Sequence, residues 1–94
     1  MLTYFVYILS SHTGTLYTGM AADLPKRIES HKAGKGSRFS AKYKANSLVH
    51  VEPIDSLEAA REREAQIKRW SRRKKIQLID KFNPRWRDLS DAVG

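Results

Sequence analysis

Glu64 is the residue whose type and position most directly indicate chemistry, because it is a carboxylate on the apolar face of a predicted helix. Between residues 56 and 70, the apolar positions Leu57, Ala60 and Ile67 follow helical spacing. At ~100° of rotation per residue, Glu64 falls almost in line with Leu57. An inward-facing carboxylate needs a cation, a hydrogen-bond network or water in a cleft. Glu64 is therefore either the partner of one of the many arginines or the ligand of a metal ion.

Two tyrosines, Tyr7 and Tyr17, form a second candidate group on a predicted hairpin. Residues 3–10 predict a central strand covered on both faces, and residues 15–20 predict a second strand after a polar turn. If the hairpin is centred on His12, Tyr7 faces Tyr17 across the strands. The two rings are then either an ordinary aromatic pair that stabilises the hairpin or two hydroxyl groups of a site.

Gly19 follows Tyr17 on the same predicted strand, where the same register places it opposite Phe5. A glycine inside a strand weakens packing, so it usually marks a bulge or a close approach of other atoms to the backbone. We interpret Gly19 in this way and assign it no direct chemistry.

Arg27 and His31 share one stripe of the first predicted helix, which Asp23 caps and which runs to about residue 33. The buried edge of this helix is formed by Leu24 and Ile28. The i, i+4 spacing of Arg27 and His31 lets both side chains reach one cleft. The alternatives are that Arg27 bridges to Glu64 alone and that His31 lies near the helix C-terminus, where a cation is favoured.

Positive charge is concentrated in two stretches of a chain whose formal net charge is +8. The candidate nucleic-acid-binding residues in these stretches are Lys35, Arg38, Lys42, Lys44, Arg72, Arg73, Lys74 and Lys75. A surface of this kind favours a polyanion through counterion release, and nucleic acid fits best. The alternative is a solvated basic surface without a specific partner.

The first basic stretch, residues 34–46, is a predicted loop that also contains Phe39 and Tyr43. Glycine-rich backbone with interleaved aromatic and basic residues suits phosphate contacts and base stacking. The alternative is that the two rings anchor the loop to the core.

The rest of the chain predicts a third strand and two further helices. Residues 47–54 read as the strand, and Asp55 with Glu58 resembles a capping box that opens the helix carrying Glu64. Ser71 caps the last helix, which Asn83 and Pro84 end. The core face of that helix is formed by Ile76, Leu78, Ile79 and Phe82. After it, Trp86 and Leu89 are expected to fold back onto the body, and residues 91–94 are expected to fray.

Length and composition limit the classes of protein. Ninety-four residues predict one domain, and the 40% hydrophobic content favours a folded chain. The absence of cysteine excludes disulfides, thiol catalysis and cysteine-bound zinc. The apolar run at residues 2–9 is too short to cross a bilayer and lacks a preceding basic region, so we expect no membrane association and a cytoplasmic location.

Taken in order, the candidate residues resemble the GIY-YIG nuclease domain over residues 4–82, and especially its small stand-alone bacterial members. The resemblance is carried by Val6-Tyr7-Ile8, Tyr17-Thr18-Gly19, Asp23-Leu24 with Arg27 and His31, and Arg61-Glu62-Arg63-Glu64 with Ile67-Lys68 and Trp70. It implies an α+β fold with a three-stranded antiparallel sheet flanked by helices. The chain is then a single domain, with its core at about 4–82 and a C-terminal extension at 83–94.

The same resemblance implies a metal-dependent phosphodiesterase site formed by Tyr7, Tyr17, Arg27, His31 and Glu64. Glu64 would bind one Mg²⁺, with Mn²⁺ as an alternative, and Arg27 would pair with the scissile phosphate. Tyr17 would orient or deprotonate the attacking water, although a free phenol has a pKa of about 10 and needs help from its neighbours. His31 would relay a proton or bind phosphate. The additional polar residue that larger relatives supply has only Asn83 as a weak counterpart.

The preferred function is a Mg²⁺-dependent endonuclease that acts on structured, damaged or single-stranded DNA, as in DNA repair. One alternative is a nucleic-acid-binding module with the same fold and little or no cleavage. Another is a subunit that docks on a protein partner through Trp70 and Trp86. A protein partner is also one way to supply the targeting that no separate domain provides.

Overall fold

The computed structural model describes residues 2–33 and 47–93, which form a three-stranded antiparallel sheet with helices on both faces. The strands are β1 (Tyr4–Ser10), β2 (Leu16–Ala21) and β3 (Ser47–Ile54), in the order β2-β1-β3. The helices are α1 (Leu24–Lys32), α2 (Leu57–Arg69), α3 (Arg72–Phe82) and α4 (Ser90–Val93). The predicted α+β fold is therefore confirmed. None of the helices in the described part of the chain is long and apolar enough to span a membrane.

Strand β1 is buried on both of its faces, as its sequence predicts. Because side chains alternate along a strand, Val6 and Ile8 lie in one core cluster and Tyr7 and Leu9 lie in another. Helices α2 and α3 cover the first cluster, whereas α1 covers the second. Tyr7 thus stands on the face of the sheet that packs against α1.

The register of the β1–β2 hairpin differs by two residues from the prediction. Tyr7 lies opposite Gly19, not Tyr17, because the turn extends from Ser11 to Thr15. Ser11 N–H donates to Thr15 O at 2.8 Å, and Thr15 N–H donates to the Ser11 hydroxyl oxygen at 2.9 Å. A shift of two residues leaves every side chain on the same face. Tyr7 and Tyr17 are therefore diagonal neighbours on one face of the sheet.

The helices begin at capping residues whose side chains accept backbone N–H groups. Asp23 caps α1 and Ser71 caps α3, as predicted. The predicted cap of α2 is wrong by one residue: Ser56 accepts from the N–H of Ala59, and Asp55 lies outside the helix.

Two apolar residues that were expected in the core are exposed. Leu57 is 38% exposed and Phe82 is 66% exposed. The buried stripe of α2 runs from Ala60 to Ile67 and does not include Leu57, the first residue of the helix. Phe82 is the last residue of α3, where its ring lies 5.9 Å from the ring of buried His50.

The segment after α3 packs against strand β3. Asn83 is buried and donates to Val49 O at 3.1 Å, while Leu89 N–H donates to Leu48 O at 2.7 Å. The fold-back of this segment is confirmed. The expected fraying of residues 91–93 is wrong, because these residues belong to α4, whose Val93 packs against the cluster under α1. Gly94 lies outside the described residues, and the predicted extent of the domain stays a prediction.

An ion-pair network joins α2 to β3. Arg63 binds both carboxylate oxygens of Glu52, with Nε–Oε1 at 2.8 Å and Nη2–Oε2 at 3.0 Å, and His50 Nε2 lies 2.8 Å from Glu52 Oε2. Burial alone would raise the pKa of Glu52, but the hydrogen bonds from His50 and Arg63 lower it to about 2. Arg63 therefore helps to hold the helix that carries Glu64.

We expect this network to make stability sensitive to acid. Because the pKa of Glu52 is lower in the folded chain than its usual 4.5, its contribution is present above pH 4.5 and is lost as the pH falls towards 2. Urea unfolding at a series of pH values should show a falling free energy of unfolding across this window. Since Asp88 also has a pKa lowered to about 2, Glu52→Gln should reduce the slope without removing it. An equal slope in both proteins would contradict a contribution from Glu52.

Candidate active site

Three aromatic side chains meet on the α1 face of the sheet. The hydroxyl of Tyr7 and Nε2 of His31 are joined by a hydrogen bond of 3.0 Å between buried side chains. The Tyr17 ring lies 5.2 Å from the His31 ring and 6.4 Å from the Tyr7 ring, measured between centroids. The structure therefore brings together three of the five predicted catalytic residues in direct contact.

Gly19 makes room for this cluster. A Cβ atom at Gly19 would lie 2.5 Å from the hydroxyl oxygen of Tyr7 and 3.0 Å from Cε1 of Tyr17. The first distance is far shorter than a van der Waals contact, and Tyr7 is completely buried. The close approach predicted for Gly19 is thus an approach of both tyrosine rings to its backbone.

We expect Gly19→Ala to displace the Tyr7 ring and weaken its hydrogen bond to His31. Overpacking of this kind typically costs about 1–3 kcal/mol in the free energy of unfolding. Urea unfolding measures that cost, and an NMR titration of the His31 imidazole reports whether its surroundings have changed. Wild-type stability together with an unchanged His31 titration would show that the site tolerates the extra methyl group.

Burial fixes the protonation of two members of the cluster. It raises the pKa of the Tyr7 phenol well above its usual value, and the neighbouring Tyr17 adds to the effect. Burial also lowers the pKa of His31, with a further contribution from the positive charge of Arg27. Tyr7 is therefore a protonated phenol and His31 a neutral imidazole near pH 7, which is a state that can accept a proton.

Arg27 and Glu64 bring opposite charges to this cluster. Arg27 is exposed on α1, and its charge acts on both Tyr7 and His31. Glu64 lies on α2, and its negative charge raises the pKa of Tyr7. The Glu64 side chain is 23% exposed, and its Oε2 lies 3.3 Å from Nζ of Lys68 one helical turn later. Glu64 thus lies at the margin of the buried stripe and forms an ion pair with a lysine.

The donor set suits a magnesium ion better than a structural zinc ion. Within residues 2–33 and 47–93, no three His, Cys, Asp or Glu side chains are grouped so that they can hold a metal together. Mg²⁺ commonly binds proteins through one or two carboxylates and keeps several waters, whereas structural zinc needs four protein ligands. A single, partly exposed carboxylate at Glu64 fits the first pattern.

A groove with a volume of about 310 Å³ adjoins the cluster and is lined by Leu16, Tyr17, Thr18, Lys68 and Lys75. Tyr17 belongs both to this groove and to the aromatic cluster. It is the partly exposed tyrosine of the two, since Tyr7 is completely buried. Tyr17 is therefore the more accessible of the two tyrosines.

The predicted nucleic-acid-binding residues fall into two groups. Lys35, Arg38, Lys42 and Lys44 lie outside the described residues, as do Phe39 and Tyr43. In α3, Arg72, Arg73 and Lys74 are exposed, but Nζ of Lys74 lies 4.4 Å from the centroid of the Trp70 ring. Lys75 lines the groove beside Tyr17. The basic stretch at the start of α3 therefore presents its residues in different directions.

Several residues have roles that the sequence did not indicate. Asn83 donates to two backbone carbonyls and accepts from the N–H of Arg87, so it is part of the C-terminal packing. Trp70 and Trp86 are partly buried against the core, which leaves less of either ring for a protein partner. Lys68 was not selected, although its i, i+4 spacing from Glu64 is the signal that would have found it.

A profile described as the GIY-YIG catalytic domain matches residues 3–77 of the chain. The chain therefore belongs to the GIY-YIG family, whose fold is of the nuclease type. This confirms the family resemblance read from the motifs.

Relatives within this family share most of the chain. It is 46% identical over 81 residues to a UPF0213 protein of Syntrophus aciditrophicus, covering 85% of this chain and 92% of the relative. A UPF0213 protein of Natronomonas pharaonis is 41% identical over 76 residues, covering 81% and 89%. The solution NMR structure of a UPF0213 protein from Bacillus halodurans is 33% identical and superimposes with a TM-score of 0.61 over 93% of both chains. The chain is thus similar to small UPF0213 proteins along nearly their whole length.

Proposed function

We propose that this protein is a metal-dependent endonuclease that hydrolyses phosphodiester bonds in DNA. The observation that carries the proposal is the contact between Tyr7, Tyr17 and His31. The charges of Arg27 and Glu64 both act on Tyr7 in this cluster. Membership of the GIY-YIG family supports the same reaction class. Structured, damaged or single-stranded DNA is the proposed substrate, which would give the protein a role in DNA repair in the cytoplasm.

Tyr17 is the proposed group that orients the attacking water, and its oxygen takes a proton from that water as it gives up its own phenol proton. It borders the open groove, whereas Tyr7 is buried and keeps its own proton. The neutral imidazole of His31, whose ring packs against that of Tyr17, is the proposed acceptor of the phenol proton that Tyr17 gives up. Tyr7 is the proposed positioning residue, because its hydroxyl is hydrogen-bonded to Nε2 of His31.

Arg27 and Glu64 would act on the phosphate. The exposed guanidinium of Arg27 can pair with two phosphoryl oxygens, where negative charge grows during in-line attack. Glu64 is the proposed ligand of Mg²⁺ or Mn²⁺, which when bound would stabilise the leaving oxygen. Oε2 of Glu64 lies 3.3 Å from Nζ of Lys68, so the metal would either bind the other carboxylate oxygen or displace the lysine.

The same ion pair favours a second candidate function. If Lys68 remains the permanent partner of Glu64, the fold is a nucleic-acid-binding module with little or no cleavage. Surface ion pairs are typically worth less than about 1 kcal/mol, so a divalent cation can compete with this lysine. We therefore prefer the nuclease.

The deciding experiment incubates the protein with labelled single-stranded, duplex, nicked and branched DNA and with RNA, in Mg²⁺, Mn²⁺ or EDTA. The proposal expects cleavage that requires the metal and is lost in Glu64→Gln prepared in the same way. Salt-dependent binding without cleavage of any substrate would favour the binding module. Equal cleavage by the variant would contradict the role of Glu64 as the metal ligand.

A further inference from the structure

Two lysines from different helices meet at the groove beside Tyr17. Lys68 is in the last turn of α2 and Lys75 is in the first turn of α3, and both line the groove with Leu16 and Thr18 of β2. The sequence alone does not predict that these two lysines lie beside the same groove. The bend between the two helices at Trp70 and Ser71 brings them to the same cavity.

Each lysine is already directed by its surroundings. Glu64 pairs with Lys68 and so orients its ammonium group from within the candidate site. Lys75 is partly buried, whereas the three basic residues before it are exposed. Each lysine side chain therefore loses fewer rotamers when a ligand binds, which lowers the entropy cost of binding.

Thr18, one of the residues that line the groove, has a buried hydroxyl without a partner among the described residues. Thr18 is 5% exposed, and its Oγ1 makes no hydrogen bond within the described part of the chain. A buried hydroxyl without a partner is unfavourable, and such groups usually have an explanation. The Thr18 side chain would have to turn towards the groove to meet an anionic oxygen held between the lysines.

We infer that Lys68 and Lys75 form a subsite for a backbone phosphate next to the scissile phosphate, on the DNA strand that passes Tyr17. The inference rests on the proposed function, because Tyr17 defines the reacting position. Two ammonium groups beside one groove match a phosphodiester, which carries one negative charge and accepts hydrogen bonds from several directions. The subsite fixes the position of the strand and reads no base.

The test compares two double variants that lose the same charge. Lys68→Ala with Lys75→Ala removes the groove lysines. Arg69→Ala with Lys81→Ala is the matched control, since Arg69 lines a different depression on α2 and Lys81 lies over Phe82. Fluorescence anisotropy with a single-stranded oligonucleotide in EDTA measures binding without cleavage, and thermal unfolding confirms that each variant is folded.

The groove variant should bind about tenfold more weakly than wild type at 0.1 M salt, as the loss of one charge-assisted contact predicts. The slope of log affinity against log salt should become shallower by about 0.7, the value for one phosphate on a single strand. The control should stay within about threefold of wild type. Lys75→Ala alone should weaken binding in the same direction without altering the partner of Glu64.

Equal losses of affinity in the two double variants would overturn the subsite, because the effect would then come from net charge alone. This outcome is independent of the proposed reaction. If wild type fails to cleave any substrate and the groove variant still binds more weakly than the control, the phosphate contact is supported and the nuclease proposal fails. If wild type cleaves and both double variants bind alike, the nuclease proposal is supported and the phosphate subsite fails.

Discussion

Glu64→Gln is expected to abolish metal-dependent cleavage while leaving the affinity for nucleic acid unchanged or higher. Glutamine keeps the shape of the side chain but removes the negative charge that would bind the cation. Loss of metal stabilisation worth several kcal/mol corresponds to a rate at least about a thousandfold lower. Affinity should not fall, because a negative charge near the phosphate backbone has been removed. Cleavage rates and anisotropy binding curves for the same preparation measure both effects.

Glu62→Gln is the matched control for this variant. Glu62 lies on α2 two residues earlier and is exposed, so the same charge is lost on a different side of the helix. We expect wild-type cleavage from this control. Full activity in Glu64→Gln, or equal losses in both variants, would show that Glu64 is not a metal ligand and that Lys68 is its lasting partner.

Tyr17→Phe is expected to lower the cleavage rate about 10²- to 10⁴-fold, the usual contribution of a group that transfers a proton. The ring would still pack against Tyr7 and His31, so the fold should be retained. Single-turnover cleavage with saturating protein isolates the chemical step from binding. The affinity measured in EDTA should stay close to that of wild type.

Two further tyrosines provide comparisons for this result. Tyr4→Phe removes a hydroxyl on the opposite core cluster and should leave the rate unchanged. Tyr7→Phe removes the hydrogen bond to His31 and should cause a smaller loss than Tyr17→Phe, because Tyr7 is a positioning residue. A larger loss in Tyr7→Phe than in Tyr17→Phe would reverse the roles of the two phenols. An unchanged rate in Tyr17→Phe would make Tyr17 a packing residue.

Local chemistry allowed much of the fold to be predicted from the sequence. Asp23 and Ser71 were recognised as caps because their side chains accept N–H groups only a few residues away. The uniformly apolar sequence of β1 correctly indicated a strand that is buried on both faces. Each of these features depends on residues that are close together in the chain.

The hairpin register could not be chosen from the hydrophobic pattern. Registers that differ by two residues place the same side chains on the same face, so both satisfy the alternation equally. The turn determines the register, because the hydroxyl and the backbone of Ser11 both bond to Thr15. Tyr7 consequently lies opposite Gly19, and the room that Gly19 provides for its hydroxyl was invisible in the sequence.

The surroundings of Glu64 were only partly predictable for a related reason. Helical spacing placed it in line with Leu57, but Leu57 is exposed and Glu64 lies at the edge of the buried stripe. Its relation to Lys68 is local and could be read from the sequence. The meeting of Lys68 with Lys75 depends on how two helices join, and no short-range pattern encodes that angle.

The C-terminal segment has a consequence for the outer edge of the sheet. Strand β3 is an edge strand, and such strands can recruit a strand from another molecule and begin aggregation. Here Leu48 N–H is bonded to Asp88, Leu48 O to Leu89, and Val49 O to Asn83. Pro53, farther along β3, has no N–H to offer a neighbour. Residues 83–89 therefore act as a cover that keeps another molecule from pairing with the β3 edge of the sheet.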